Sequence, residues 1–248
     1  MKVIVLAAGY ATRLYPLTLT QPKSLLPVAG KPMINYVLDN LAPIAGIDRV
    51  YVVSNAKFSA HFQAWAEQYH HTNPQLNFTV INDGSTEEAD KLGAIGDLHL
   101  VLTRDQVDDD VIVVAGDNLF NQPLTEFGEF CRGKHAPVIG VFDVGSLDLT
   151  KKYSEVRLDE AGKIILFEEK PPHPKTTLIG IALYYYPKAV LPLIKRYVAE
   201  GQNTDQPGRL VQWLYPQVPF YTWTVTSLWY DIGSKETLDE ANRIFGQR

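Results

Sequence analysis

Two of the three cations in the stretch "GYATRLYPLTLTQPKSLLPVAGKPM" (9–33), Arg13 and Lys23, follow a short apolar run. A strand that ends in small residues lets an anionic ligand approach the backbone, where free N–H groups can bind phosphate oxygens and nearby cations supply charge. Spacing alone does not single out that chemistry. Neither G-x-x-x-x-G-K-[ST] nor G-x-G-x-x-G is present, and "AGK" (29–31) is followed by proline, so on spacing alone a surface loop with two solvated cations is the better account. Two carboxylates are also placed suggestively. Asp117 follows the apolar run "VIVVAG", and Asp231 follows the short aromatic segment in "SLWYDIG". Asp117 could ligate a divalent cation or serve as a turn cap, and the residues leave both readings open, whereas Asp231 by itself is better read as a turn residue or the partner of a basic residue. In "FEEKPP" (167–172) adjacent glutamates on a strand point to opposite faces, so only one of Glu168 and Glu169 can share a site with Lys170. From these residues alone a surface Glu–Lys ion pair is the simpler account.

These side chains must be positioned by regular elements. "KVIVLAA" (2–8) reads as a buried strand, and "PMINYVLDNLAPIAG" (32–46) carries Ile34, Val37, Leu38 and Leu41 at helical spacing. The alternation continues with strands at 49–55, 76–82 and 110–118 and helices at 57–71 and 93–104. This pattern predicts an α/β fold, a Rossmann-like doubly wound sheet that is mixed but mainly parallel, with ligands at the carboxyl ends of its strands. Further along, strands are expected at 153–158, 163–170, 178–186, 219–224 and 228–231, with a helix near 188–200. A closing helix over 234–245 has Ser234 as its N-cap. The 248 residues are expected to form one domain with halves at 1–140 and 141–248.

The long loop resembles the signature of the sugar-1-phosphate nucleotidylyltransferases, L-A-G-G-x-G-T-R-L-x-P-L-T followed by P-K-x-L-L-P-V and G-K-P-M. The matching positions are Leu6, Ala7, Gly9, Thr12–Leu14, Pro16–Thr18, Pro22–Lys23, Leu25–Val28 and Gly30–Met33. "GDN" (116–118), "EEKP" (168–171) and "WYDIG" (229–233) follow in the family's order. The resemblance implies a GT-A-like nucleotidyltransferase fold whose first half binds the nucleotide and whose second half binds the sugar phosphate. It implies transfer of a nucleotidyl group from a nucleoside triphosphate, dTTP or UTP favoured, to a sugar 1-phosphate, with pyrophosphate leaving. A dianion must there attack the α-phosphorus of a polyanion, so cations have to screen both partners. By resemblance Arg13 holds the leaving pyrophosphate, Lys23 the α-phosphate, and Lys170 the sugar's phosphate, while Glu169 accepts from sugar hydroxyls. Leu6, Ala8 and Gly9 line the nucleotide, and Asp117 and Asp231 hold Mg²⁺. Asn82 stands where relatives carry a base-reading glutamine, with Gly93 as the later base-reading glycine.

The chain also departs from the pattern. Ala8, Tyr10 and Ala11 replace smaller residues, and Ser154 stands where many relatives have glycine. Alanine is tolerated in the loop only where φ stays negative. Cytidylyl or guanylyl transfer to another phosphorylated acceptor therefore stays open. So does a catalytically silent relative that binds nucleotide sugar, although charges that repel one another have no reason to persist without substrate. The net charge of −5 argues against nucleic acid or anionic membrane as partner. With one cysteine, Cys131, no apolar membrane-length run and no hexapeptide-repeat domain, a cytoplasmic enzyme is expected, its self-association left open. "DGSTEEAD" (83–90) is expected to be mobile, "DDD" (108–110) a solvated turn, and "YYY" (184–186) core.

Overall fold

The computed structural model of the chain describes residues 1–247. Its elements begin β1 (Lys2–Leu6), β2 (Pro27–Val28), β3 (Lys31–Pro32), α1 (Met33–Leu41), β4 (Arg49–Ser54), α2 (Ser59–Thr72), β5 (Phe78–Asn82) and α3 (Ala94–Arg104). They continue with β6 (Val111–Ala115), β7 (Asn118–Phe120), α4 (Thr125–Lys134), β8 (Val138–Asp143), α5 (Leu147–Thr150), β9 (Ser154–Leu158), β10 (Ile164–Glu169) and β11 (Leu178–Tyr186). The last are α6 (Leu191–Ala199), α7 (Pro207–Leu214), β12 (Tyr221–Thr224), β13 (Trp229–Asp231) and α8 (Lys235–Gly246). The class is α/β as expected. Parallel pairs join β1 to β4, β4 to β5 and β8 to β12, whereas β11 runs antiparallel to β8.

Two compact units divide the chain, and they are not the halves on either side of residue 140. The first comprises Met1–Leu92, Val114–Thr125 and the segment from Ser227. The second comprises Gly93–Val113 and Glu126–Thr226. The C-terminal segment joins the first unit because β13 pairs antiparallel with β7, setting Asp231 opposite Asn118.

In the first unit the strand order is β6-β1-β4-β5. Val3, Ile4 and Val5 are all fully buried, which is why β1 reads as an unbroken apolar run rather than an alternating one. Helix α1 buries Ile34, Val37, Leu38 and Leu41, the positions whose spacing predicts it. A separate cluster packs Leu14, Leu26 and Met33 against Leu119, Ile232 and Phe245, tying the long loop to β7, β13 and α8. Helix α8 starts with a capping box in which Ser234 and Thr237 satisfy each other's backbone N–H groups.

In the second unit the order is β12-β8-β11-β6, and β9 and β10 form an antiparallel ribbon. Tyr184, Tyr185 and Tyr186 are all buried, as core. The turn at 108–110 is more than a solvated bend: Asp110 accepts from the Tyr185 hydroxyl at 2.6 Å and from Lys188 N–H at 2.8 Å, and Asp108 pairs with Lys188. Cys131 is buried in α4, and burial raises its thiol far above the usual range, so it stays an inert core residue. Among the described residues no helix is long and apolar enough to cross a membrane.

Candidate active site

The first unit holds the loop after β1. Its path is fixed at several points by its own backbone. The buried Asn55 amide donates to Ala8 C=O at 2.8 Å, and the Thr18 hydroxyl donates to Ala11 C=O at 2.9 Å. Tyr10, one of the departures from the small-residue pattern, is buried and donates its hydroxyl to Ser85 at 3.3 Å. Ser85 in turn bonds Asp83, and the Asp90 carboxylate accepts the N–H groups of Thr86 and Glu87. Segment 83–90 is therefore pinned by its own aspartates rather than left loose. Ala11 has φ 47°, the left-handed region in which alanine is strained and glycine is not. Replacing it, Ala11→Gly, should raise stability by roughly 0.5–1 kcal/mol and the melting temperature by about 1–4 °C. Thermal unfolding followed by circular dichroism checks this, and a lower midpoint would contradict the strain.

"AGK" proves to be no phosphate loop. Ala29 and Gly30 both have positive φ and form the two-residue turn between β2 and β3. Lys23 opens a short 3₁₀ turn, Lys23–Leu25, and reaches the turn after β6, where its ammonium pairs with the Asp117 carboxylate. A glycine permits the approach. A Cβ at Gly116 would lie 2.8 Å from the Ser24 hydroxyl and 3.2 Å from a Val5 methyl, so the Lys23 turn can pack here only against bare backbone. Leu6 closes the other side, its carbonyl accepting Gly116 N–H at 3.0 Å.

The β7–β13 pairing brings Asp231 beside the same turn, opposite the residue that follows Asp117. Arg13 is exposed, and its guanidinium lies 3.8 Å from where a Cβ on Gly233 would stand. Thus Leu6, Ala8, Gly9, Arg13, Lys23, Asp117 and Asp231 all belong to one unit. Among the described residues no group of three or more His, Cys, Asp or Glu side chains is arranged to hold a metal. Two carboxylates, Asp117 in the turn before β7 and Asp231 at the end of the paired strand β13, nevertheless suit Mg²⁺, which keeps most of its shell for waters and phosphate oxygens.

One expectation about these charges needs correcting. Lys23 and Asp117 attract each other in the substrate-free chain, so their retention has a structural reason and does not by itself argue for turnover. Asn82 is exposed at the end of β5, where its side-chain oxygen accepts Gly84 N–H at 2.8 Å, leaving its amide donors and the oxygen's second lone pair for a ligand.

The second unit holds Gly93, Glu169 and Lys170. Gly93 has φ 79°, and a Cβ there would meet the Thr204 carbonyl oxygen at 2.6 Å, so packing alone requires glycine. Ser154 does not point at a ligand either; its buried hydroxyl accepts Gly180 N–H at 3.0 Å. Glu169 ends β10, half-buried, and its N–H donates to Gln212 of α7 at 3.1 Å. Its carboxylate makes no hydrogen bond or ion pair among the described residues. Burial raises its pKa from 4.5 to about 7, although Lys170 and Arg209 pull it down. Lys170 lies just past the strand with φ 51°, its N–H bonded to Tyr153 C=O at 2.7 Å. That left-handed residue breaks the strand alternation, so Lys170 is not a simple continuation of β10. Helix α7, absent from the sequence reading, supplies Arg209 and Gln212 to a cavity of about 270 Å³ also lined by Tyr197, Gln202, Asn203 and Trp213. Its signal, Pro207 at a first helical position after Gln206, was present but masked by the turn-like "PG".

Comparison with known proteins identifies the family and the fold. The family model described as nucleotidyl transferase matches residues 2–248. The bifunctional protein GlmU of Methanocaldococcus jannaschii is 28% identical over 244 residues, 98% of this chain and 54% of that protein. The UTP–glucose-1-phosphate uridylyltransferase of Synechocystis is 28% identical over 241 residues, 94% of this chain and 60% of that protein. The chain thus spans about half to three-fifths of the length of these curated relatives. A solved UDP-glucose pyrophosphorylase complexed with UDP-glucose superposes with TM-score 0.81 at 21% identity over 99% of this chain and 98% of that one, which shows the shared fold. With the family model matched along its whole described length, the chain belongs to the nucleotidyl transferase family, the sugar-1-phosphate nucleotidylyltransferases that its long loop resembles.

Proposed function

We propose that the protein transfers a nucleotidyl group from a nucleoside triphosphate, with dTTP or UTP favoured, to a sugar 1-phosphate, releasing pyrophosphate. The observation that carries this reading is that Arg13, Lys23, Asp117 and Asp231 belong to one unit of a chain matched along its length by the nucleotidyl transferase family, with Lys23 and Asp117 meeting at the end of β6 over the bare backbone of Gly116. An ammonium and a carboxylate in one place suit a reaction whose charge is all phosphate. The ammonium serves the α-phosphate as the bond to the β-phosphate oxygen breaks. The carboxylates of Asp117 and Asp231 would hold Mg²⁺, which when bound neutralises phosphate charge and aligns the displacement. Arg13 screens the departing pyrophosphate. On the acceptor side Lys170 binds the attacking phosphate dianion, and Glu169, whose carboxylate makes no hydrogen bond among the described residues, accepts from sugar hydroxyls. One P–O bond forms as another breaks, and no proton need move, so positioning and electrostatics supply the catalysis.

Pyrophosphate release measured over a matrix of nucleoside triphosphates and sugar 1-phosphates with Mg²⁺ tests the proposal. Release is expected with glucose 1-phosphate and UTP or dTTP. Nucleotide-sugar binding without release from any pair would instead identify a silent, ligand-binding relative.

A further inference from the structure

Gly208 is the second residue of α7, and nothing about its backbone calls for glycine. Its φ lies outside the left-handed region, and alanine is favoured over glycine inside a helix by roughly 0.5–1 kcal/mol. What surrounds it explains the residue. A Cβ at 208 would fall 1.9 Å from Oε2 of Glu169, 2.9 Å from its Cδ and 3.2 Å from Cε1 of Phe167. The carboxylate of Glu169 therefore occupies the space that any side chain at 208 would fill. The first two contacts are the far end of a flexible side chain, so the carboxylate, not the helix, yields to a substituent. Phe167, fixed in the core, needs to give only a few tenths of an ångström.

We infer that Gly208 is a positioning residue of the acceptor site: by leaving a side-chain-sized space at the start of α7, it holds the Glu169 carboxylate in the place from which it binds the sugar. Gln212, one turn further along α7, fixes the Glu169 backbone by accepting its N–H. The helix thus sets both ends of one residue, its main chain through Gln212 and its carboxylate through the space at Gly208. This inference rests on the role of Glu169 proposed above.

The test is Gly208→Ala, alone and combined with Glu169→Gln, with glucose 1-phosphate as varied acceptor at saturating UTP. Gly208→Ala should raise the KM for glucose 1-phosphate on the order of tenfold, leave the KM for UTP unchanged and keep the thermal midpoint. The double variant should match Glu169→Gln alone, because the glycine acts only through that carboxylate. Independent, multiplying effects of the two substitutions would overturn the inference. So would a Gly208→Ala protein that fails to fold, since the helix rather than the carboxylate would then have yielded. If Glu169→Gln itself leaves the acceptor KM unchanged, the role of Glu169 fails first, and the positioning role falls with it.

Discussion

Lys23→Ala should reduce kcat on the order of 10²–10³-fold, the loss typical when one preorganised donor to a developing phosphate charge is removed. The KM for the sugar 1-phosphate should change little. A second effect separates structure from chemistry. Lys23 and Asp117 pair in the substrate-free protein with side chains only 15% and 20% exposed, so removing either leaves a half-buried charge without its partner. Each single variant should therefore lose roughly 1–3 kcal/mol of stability. The double variant, Lys23→Ala with Asp117→Ala, should lose less than the sum, because no charge is then stranded. Its turnover should stay at least as low as that of Lys23→Ala. Steady-state pyrophosphate release and urea unfolding on the three variants check both halves, and a near-normal kcat in Lys23→Ala would refute the assigned role.

Glu169→Gln is expected to raise the acceptor KM on the order of ten- to a hundredfold, since an amide replaces a charged acceptor of hydrogen bonds. It should also change how stability depends on pH. Burial lifts this carboxyl from 4.5 to about 7, so between those values the folded chain binds more protons than the unfolded one. Stability from this group is thus fully present below about pH 4.5, falls as pH rises and is gone above about pH 7. Glutamine cannot ionise, and its variant should lose that component of the slope. Above pH 7 it should be more stable than the parent by on the order of 1 kcal/mol, a figure kept small by the partial exposure of the carboxyl. Denaturant unfolding at pH 5 and pH 8 decides the matter: an equal difference between the proteins at both values would exclude a buried, ionising Glu169.

The sheet was legible because its strands are buried on both faces. Val3, Ile4, Val5 and Val111 to Val114 have nowhere to alternate, and such runs announce themselves. Helices α1 and α8 were legible from spacing and caps. Helix α4 was not: "TEFGEFCRGK" (125–134) carries Gly128 and Gly133, which dilute the pattern, and only Phe127, Gly128 and Cys131 are buried in it. Candidate side chains could be picked out from the loop and the three short motifs, but their partners could not. Lys23 meets Asp117 across 94 residues, and Glu169 lies against a glycine in a helix that begins with a turn-like dipeptide. Contacts of that kind are set by register and packing, which no local pattern encodes. The placement of 227–233 had the same origin, since only pairing with β7 carries Asp231 into the first unit.

The Lys23–Asp117 pair also acts as a tethered competitor. A carboxylate held beside the ammonium has an effective concentration of millimolar or higher, set by its attachment rather than by the solution. A small anion at ordinary concentration has to displace that carboxylate and gains only one new contact by doing so. A triphosphate brings several negative oxygens at once, and the exposed guanidinium of Arg13 belongs to the same unit. If Lys23 receives a triphosphate as proposed, the pair would mask the ammonium toward simple anions and yield it to a polyphosphate, a selectivity that comes from the protein's own counter-charge.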